Sequence, residues 1–399
     1  MRLLVAGGGT GGHLFPGIAL AEEITRRSGG EVLFVGTSRG IETRAVPAAG
    51  YALETLDVSG LKRMGLWGTL RGLVRLPLAI LRSFGILRRF RPDVVVGVGG
   101  YASGPLVLAA VLAGYKAAIQ EQNSVPGMTN RVLGKLVSVV FTAFADARRF
   151  FPADKVTELG NPVRAKIVAA LEGAAAVPPA EKLRLLVVGG SQGARAVSEL
   201  VAAAVPLLAA GGTDFTLVHQ TGSADLQRLT ERYLAQGLGG KVTATAFIDD
   251  MAAAYAQADL VVARAGALTL AELAIAGRPA MLVPLPTAAD DHQSKNAEEN
   301  GASNRATMFG YSTGSMMVSG RARLARPAPN AVRLPQGRAC FAYASSRRRR
   351  RSRVGGGASR SAHRRSSLRG WRRMAKHWPR NPRFPLAEAY VPWHKYTYV

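Results

Sequence analysis

The amino-acid sequence predicts an α/β protein of two Rossmann-like domains facing each other across a cleft. Three observations carry this. Apolar runs at 2–6, 31–36, 93–98 and 117–120 alternate with helical stretches such as 16–27 and 104–113, as expected of parallel strands buried on both faces. The stretch "LLVAGGGTGGHLFPG" (3–17) leads from a strand through glycines into a helix. "LRLLVVGGSQGARAV" (183–197) makes the same start again in the second half of the chain.

Taken in order, the first strand feeds the spacing Gly7-x-Gly9-x-x-Gly12, a turn that aims backbone N–H groups at a phosphate. A tight strand-to-helix connection uses glycines even without a ligand, so the second turn and the residues below have to decide. Pro16 suits the first position of the following helix, where its missing N–H costs nothing. The stretch 64–91 sets Trp67, Leu70, Val74 and Leu81 at helical spacing beside Arg71, Arg75, Arg82 and Arg89. Pro77 is expected to divide it into two helices. An apolar face beside arginines suits an anionic bilayer surface; the plainer alternative is a helix packed on the sheet with a solvated basic edge. Residues 161–182 read as the connection between an N-terminal domain (1–160) and a C-terminal domain (183–300). Strands at 215–219, 242–247, 259–263 and 280–285 complete the second half.

Composition narrows the classes. At 399 residues and 48% hydrophobic, the chain can bury the cores of an ordinary α/β protein. Its single cysteine, Cys340, excludes a disulfide framework and a cysteine metal site, and fits a reducing compartment. The apolar start is too short for a signal peptide, and no run approaches the roughly 18 residues of a membrane span. The net charge of +26 is unevenly placed. Residues 1–300 hold 30 Lys and Arg against 25 Asp and Glu, whereas residues 301–399 hold 22 against the single Glu388. This basic tail has no sustained helical or strand period and is rich in Arg, Ser, Ala, Gly and Pro. It reads as an aberrant, out-of-frame continuation of a GC-rich gene from near residue 300, and is expected to be disordered or loosely packed. A nucleic-acid-binding tail would carry similar charge. A nicotinamide-dependent oxidoreductase is the other reading of the first glycine turn. It calls for an acid at the end of the second strand, but "EVLFVG" runs on through Thr37, Ser38 and Arg39 with no acid before Glu42; an arginine there could suit a phosphorylated ribose, so the reading stays open.

A longer constellation fits better. "GGGTGGH" (7–13), "GGYASGP" (99–105), "EQNSVPG" (121–127), "GNPVR" (160–164), "GGSQGA" (189–194), "HQTG" (219–222), "FIDDM" (247–251), "RAGALTLAE" (264–272) and "DDHQSKNAE" (290–298) follow one another in this order. Together they closely resemble glycosyltransferase family 28 over residues 1 to about 299. The resemblance is to its bacterial cell-wall members, which add N-acetylglucosamine (GlcNAc) to undecaprenyl-pyrophosphoryl-muramoyl-pentapeptide. It implies the two-domain GT-B fold, with an acceptor- and membrane-facing N-terminal half and a donor-binding C-terminal half. The runner-up is a GT-B transferase with another lipid or small acceptor.

The resemblance also implies roles. In the C-terminal half, Ser191 and the backbone of 189–193 receive the diphosphate of UDP-GlcNAc. Ala267, Leu268, Thr269, Leu270 and Ala271 form a second helix start near the phosphates, and Glu272 accepts two hydrogen bonds from the ribose diol. Ile248 meets the uracil through its backbone, and Gln293, with Asn296 nearby, faces sugar hydroxyls. Thr10, Gly11, Gly12 and Asn123 border the donor sugar and diphosphate, and Arg164 reaches them from the connecting segment. His13 is the candidate general base toward the muramoyl 4-hydroxyl, with Glu121, Asp93 and Tyr101 as secondary candidates. The alternative for His13 is a phosphate contact or a turn cap. His219 and His292 read as structural or binding residues. One displacement at the α-linked anomeric carbon gives a β-1,4 bond with inversion. No Asp-x-Asp occurs, so no metal and no cofactor are expected, and UDP-GlcNAc is a substrate. The expected partners are the lipid-linked muramoyl-pentapeptide, an anionic membrane surface, and other cell-wall synthesis and division proteins, without nucleic acid. The expected location is peripheral, on the cytoplasmic face of the bacterial plasma membrane, in a pathway that supports cell shape and division.

Overall fold

The computed structural model describes residues 1–58, 66–172, 181–190, 193–285, 291–303, 306–312 and 315–319, with backbone alone for 66–75, 172 and 300–319. All of them belong to one compact unit. The first half is a seven-stranded sheet of β1 (Arg2–Gly7), β2 (Glu31–Thr37), β3 (Ala52–Leu56), β4 (Val94–Gly99), β5 (Ala117–Glu121), β6 (Val139–Thr142) and β7 (Val156–Glu158). The order is β3-β2-β1-β4-β5-β6-β7, parallel throughout. The second half repeats that plan with β8 (Leu183–Val188), β9 (Phe215–Gln220), β10 (Val242–Thr245), β11 (Leu260–Ala263), β12 (Ala280–Leu282), β13 (Ala306–Ser312) and β14 (Ser315–Ser319). Its order is β10-β9-β8-β11-β12-β13-β14, with only the β13–β14 pair antiparallel. Each sheet therefore reverses strand order beside its first strand, between β1 and β4 and between β8 and β11. Such a switch point splays the following loops apart and leaves a crevice at the carboxyl ends of the strands.

The central strands form because their residues are apolar on both faces: Leu3, Leu4, Val5 and Ala6 of β1 are all fully buried. Strands β3, β6 and β7 went unread in the sequence. They are short, and β3 is half-exposed, so neither a long apolar run nor a clean alternation marks it. The sheet of the second half continues past residue 300 through β13 and β14.

Two prolines sit differently from expectation. Helix α1 (Gly11–Ser28) begins before Pro16, which lies inside it and not at its first position. The proline removes the bond to the Gly12 carbonyl, and Gly12 is exposed, so solvent can replace that donor. After α2 (Glu42–Ala48), helix α3 (Leu66–Phe90) runs unbroken through Pro77. Pro77 is on the exposed side, while Ala79, Ser83, Ile86, Leu87 and Phe90 are buried on the opposite stripe, the last three in a core shared with the helix at 103–112 and the sheet. Packing of that stripe holds the helix together past one missing hydrogen bond. Leu81 is 66% exposed and Arg82 is exposed beside it, with Leu76 and Leu78 also open. The side chains of Trp67, Leu70, Arg71, Val74 and Arg75 lie outside the described residues. No described helix is long and apolar enough to cross a membrane.

The remaining helices of the first half are α4 (Ser103–Leu112) and α5 (Met128–Leu133). The connecting segment carries α6 (Ala165–Glu172), whose Ile167 and Val168 pack with Val163, Ala252 and Ala271. The second half adds α7 (Arg195–Ala210), α8 (Leu226–Ala235), α9 (Met251–Gln257), α10 (Ala267–Ala276) and α11 (His292–Ser303).

Candidate active site

The first glycine turn carries β1 into α1, with Thr10 extended at the helix N-cap and His13 in the first turn. Gly11 and Gly12 lead this helix, and their N–H groups have no acceptor within it. The imidazole of His13 occupies side-chain space at Gly99. A Cβ there would stand 2.7 Å from Nδ1, and Gly99 has φ +95°, so both sterics and backbone require glycine.

Gln122 sets the tautomer of this histidine. Its Nε2 donates to the carbonyls of Val98 (2.9 Å) and Gln120 (3.2 Å), which can only accept. Its Oε1 is thereby turned to His13 Nδ1 at 3.2 Å. Nδ1 must carry the proton, and Nε2 is left with its lone pair. Burial pushes the His13 pKa below the ordinary imidazole value; the bonds to Gln122 and Val98 pull the other way, and His292 adds to the lowering. The site thus holds a neutral imidazole whose Nε2 can take a proton.

Glu121 is fully buried at the end of β5. It accepts from Asn123 N (2.9 Å), Asn123 Nδ2 (3.4 Å) and Asn130 Nδ2 (2.8 Å). Burial raises its pKa to about 7 against these bonds. Geometrically it is the anchor of the segment that carries Asn123.

That segment also joins the two halves. Asn296 of α11 is fully buried; its Oδ1 accepts from Ser124 N (2.9 Å) and Oγ (3.0 Å). Its Nδ2 donates to Asn123 Oδ1 (3.1 Å) and Ala265 O (3.3 Å). Expected near the sugar hydroxyls, Asn296 instead commits its whole amide to this clasp. Asn161 makes a second one, with Nδ2 bonded to Gln122 O (3.1 Å) and Ala267 O (3.3 Å) and Oδ1 accepting from Gln120 Nε2 (3.3 Å).

In the second half, Ser191 lies outside the described residues. Around it Gly189 and Gly193 approach the Gln220 and Thr221 carbonyls, where a Cβ would stand 2.5 Å away in each case. Helix α10 starts after Gly266, so the N–H groups of Ala267, Leu268 and Thr269 point out of the helix end. Leu270 and Ala271 are buried and serve the core with their side chains. Glu272 is half-buried and accepts from the Tyr255 hydroxyl at 3.0 Å, leaving its other oxygen unused by that bond. Burial raises its pKa, opposed by Tyr255 and by the charge of Arg164. Arg164 lies over the Phe15 ring of α1 at 5.1 Å. Ile248 packs part-buried against the core beside exposed Phe247, and Gln293 Oε1 accepts from Leu285 N at 2.9 Å.

The structure thus gathers His13, Glu121, Asn123 and the start of α10 around one interdomain seam. His219 stands apart: it is fully buried between Ser198 and Tyr233, and burial pushes its pKa down to about 4. Asp250 caps α9 through Ala253 N. Among the described residues no three His, Cys, Asp or Glu side chains gather as a metal site would. Gln122, Asn161 and Tyr255 were not singled out in the sequence. The first two stood inside recognised motifs, but their roles come from partners distant in sequence.

Residues 3–142 match the glycosyltransferase family 28 N-terminal domain, and residues 184–315 match the glycosyltransferase family 28 C-terminal domain. A Myxococcus xanthus protein named UDP-N-acetylglucosamine–N-acetylmuramyl-(pentapeptide) pyrophosphoryl-undecaprenol N-acetylglucosamine transferase is 52% identical over 310 residues, covering 77% of this chain and 80% of its own. The protein of the same name from Anaeromyxobacter dehalogenans is 54% identical over 301 residues, 74% of this chain and 77% of its own. The crystal structure of Acinetobacter baumannii MurG aligns with a TM-score of 0.60 at 31% identity, over 77% of this chain and 85% of that one. The calicheamicin glycosyltransferase CalG4, at 16% identity and a TM-score of 0.52, shares the fold.

Proposed function

The chain belongs to glycosyltransferase family 28, and on that premise we propose that it is the inverting transferase of peptidoglycan synthesis that moves GlcNAc from UDP-GlcNAc to the 4-hydroxyl of undecaprenyl-pyrophosphoryl-muramoyl-pentapeptide. The observation that carries the reading is His13, held by Gln122 with Nε2 unprotonated beside the segment that clasps the donor half. Neither matched domain favours the nicotinamide or nucleic-acid alternatives.

In this reading, Nε2 of His13 takes the proton of the attacking hydroxyl. Glu121 keeps Asn123 in place beside the donor. UDP departs with its charge met by Ser191 and by the backbone N–H groups at the start of α10, since Gly189 N–H and Gly193 N–H already donate to the Gln220 and Gly190 carbonyls. Glu272, steadied by Tyr255, holds the ribose; Ile248 takes the uracil, Gln293 the sugar, and Thr10, Gly11, Gly12 and Arg164 close the near side. Leu76, Leu78 and Leu81 with Arg82 rest on the anionic, cytoplasmic face of the membrane, where the lipid-linked acceptor lies.

The test is transfer of labelled GlcNAc from UDP-GlcNAc to a lipid-linked muramoyl-pentapeptide. His13→Ala should lower kcat by about 10²–10⁴ while UDP affinity stays close to normal. Label found only on a different acceptor would overturn the substrate assignment, and unaltered kcat in the variant would remove His13 from the chemistry.

A further inference from the structure

The first glycine turn already contains an anion. Glu42 opens α2, just beyond β2, and its side chain is fully buried beneath the turn. Oε2 accepts from Gly9 N at 2.7 Å, while Oε1 accepts from Thr37 N at 2.8 Å and Thr37 Oγ1 at 2.7 Å. The surrounding backbone is shaped for it: a Cβ at Gly8, Gly36 or Gly40 would come within 2.4, 2.6 or 2.0 Å of its atoms. Burial would raise the pKa of this carboxyl, but the hydrogen bonds from Gly9, Thr37 and its own N–H bring it below the ordinary value, so it is ionised.

We propose that Glu42 is a positioning residue for the transfer, the resident carboxylate that stands in the first glycine turn where a nucleotide phosphate would in a dinucleotide-binding domain. It ties the turn between β1 and α1 to the end of β2. The helix then starts at Thr10 and delivers His13 onto Gly99 in one orientation. It also uses the Gly9 N–H, so an incoming diphosphate is left with the N–H groups of Gly11 and Gly12. The inference rests on the assignment of His13 as base, but it has a readout that does not depend on that assignment.

The experiment compares Glu42→Gln, Glu42→Gly and wild type by amide hydrogen exchange and by steady-state transfer. In Glu42→Gln an NH₂ group faces a backbone donor that the carboxylate formerly satisfied. Exchange should rise at residues 9–14 and 37 and stay unchanged in the second half. kcat should fall on the order of 10²-fold, as expected for a misplaced catalytic group, with the Kd for UDP unchanged. Formate should restore part of the kcat of Glu42→Gly by refilling the carboxylate space, and formamide should not. Unchanged exchange at 9–14, or kcat of Glu42→Gln within twofold of wild type, overturns the proposal. If Glu42→Gly does not fold, Glu42→Gln alone decides it. If wild type transfers no GlcNAc, the functional assignment fails while the exchange data still judge Glu42.

Discussion

Replacing Gln122 by methionine keeps the volume of the side chain and removes both of its hydrogen-bonding ends. His13 Nδ1 loses an acceptor at 3.2 Å, and the Val98 and Gln120 carbonyls lose a donor. Gln120 O keeps a bond from Asn130 Nδ2, and the lost donor to Val98 O bears on stability, not on the imidazole. The net loss is therefore one neutral hydrogen bond on the base, about 0.5–1.5 kcal/mol. That corresponds to about a 2- to 12-fold drop in kcat at neutral pH, because fewer molecules hold the tautomer with Nε2 free. The pH profile makes the test specific. Protonation fills Nε2, so rate falls as pH drops through the His13 pKa. The Gln122 bond favours the imidazolium, so its removal should move the acidic limb to lower pH. Steady-state transfer from pH 4.5 to 8, well below the melting temperature and with UDP binding as control, reads both effects. An unchanged kcat with an unmoved limb, or a limb moved upward, refutes the reasoning.

Glu272→Ala should raise KM for UDP-GlcNAc by about 10- to 150-fold, the worth of a charge-assisted bond. Tyr255→Phe should reproduce only a small part of that increase, since it frees the carboxylate without deleting it; equal effects would make Tyr255 the ligand. Joint Leu78→Glu, Leu81→Glu and Arg82→Glu changes alter exposed positions only. They should weaken binding to anionic vesicles by at least about 5- to 30-fold in a co-sedimentation assay, and undiminished binding would leave α3 as an ordinary packed helix. For the basic tail we propose a shifted reading frame between residue 300 and the end of the family match at 315. The bases downstream, read in the other two frames, should resume alternating strands and helices; if neither does, the tail is a genuine part of this protein.

The two-domain plan was legible because buried parallel strands leave uninterrupted apolar runs and each half opens with its own glycine turn. β3 escaped because "ALETL" is half-exposed, and its place is set by pairing with β2. Pro16 and Pro77 misled for a common reason. Proline signals a local cost, and whether a helix stops there depends on what its other residues bury. At the site, His13 and Glu272 were visible as polar residues in otherwise small or apolar stretches. Gln122 was hidden, because its importance comes from two carbonyls and an imidazole that lie 2 to 109 positions away. Glu42 was noted as the first acid after β2 and not as the occupant of the turn, since its burial depends on three separate glycines.

The clasp at Asn296 limits how this protein could be recombined. Exchanging the donor half for that of another GT-B enzyme is a natural way to change the transferred sugar, because each half has its own sheet and core. Here, however, the first half presents Ser124 N–H, Ser124 Oγ and Asn123 Oδ1 to a single amide of the second half. A donor half with an aliphatic residue at 296 would strand these groups in a buried seam, at about 1–3 kcal/mol for each one left unpaired. Asn161 bonds both halves at once, so it has to travel with Gln122 on one side and still find the Ala267 carbonyl on the other. A workable hybrid would be cut after the segment that carries Asn161 and would keep an asparagine at 296. On the proposed assignment, the seam that holds His13 thus also decides which donor modules the first half will accept.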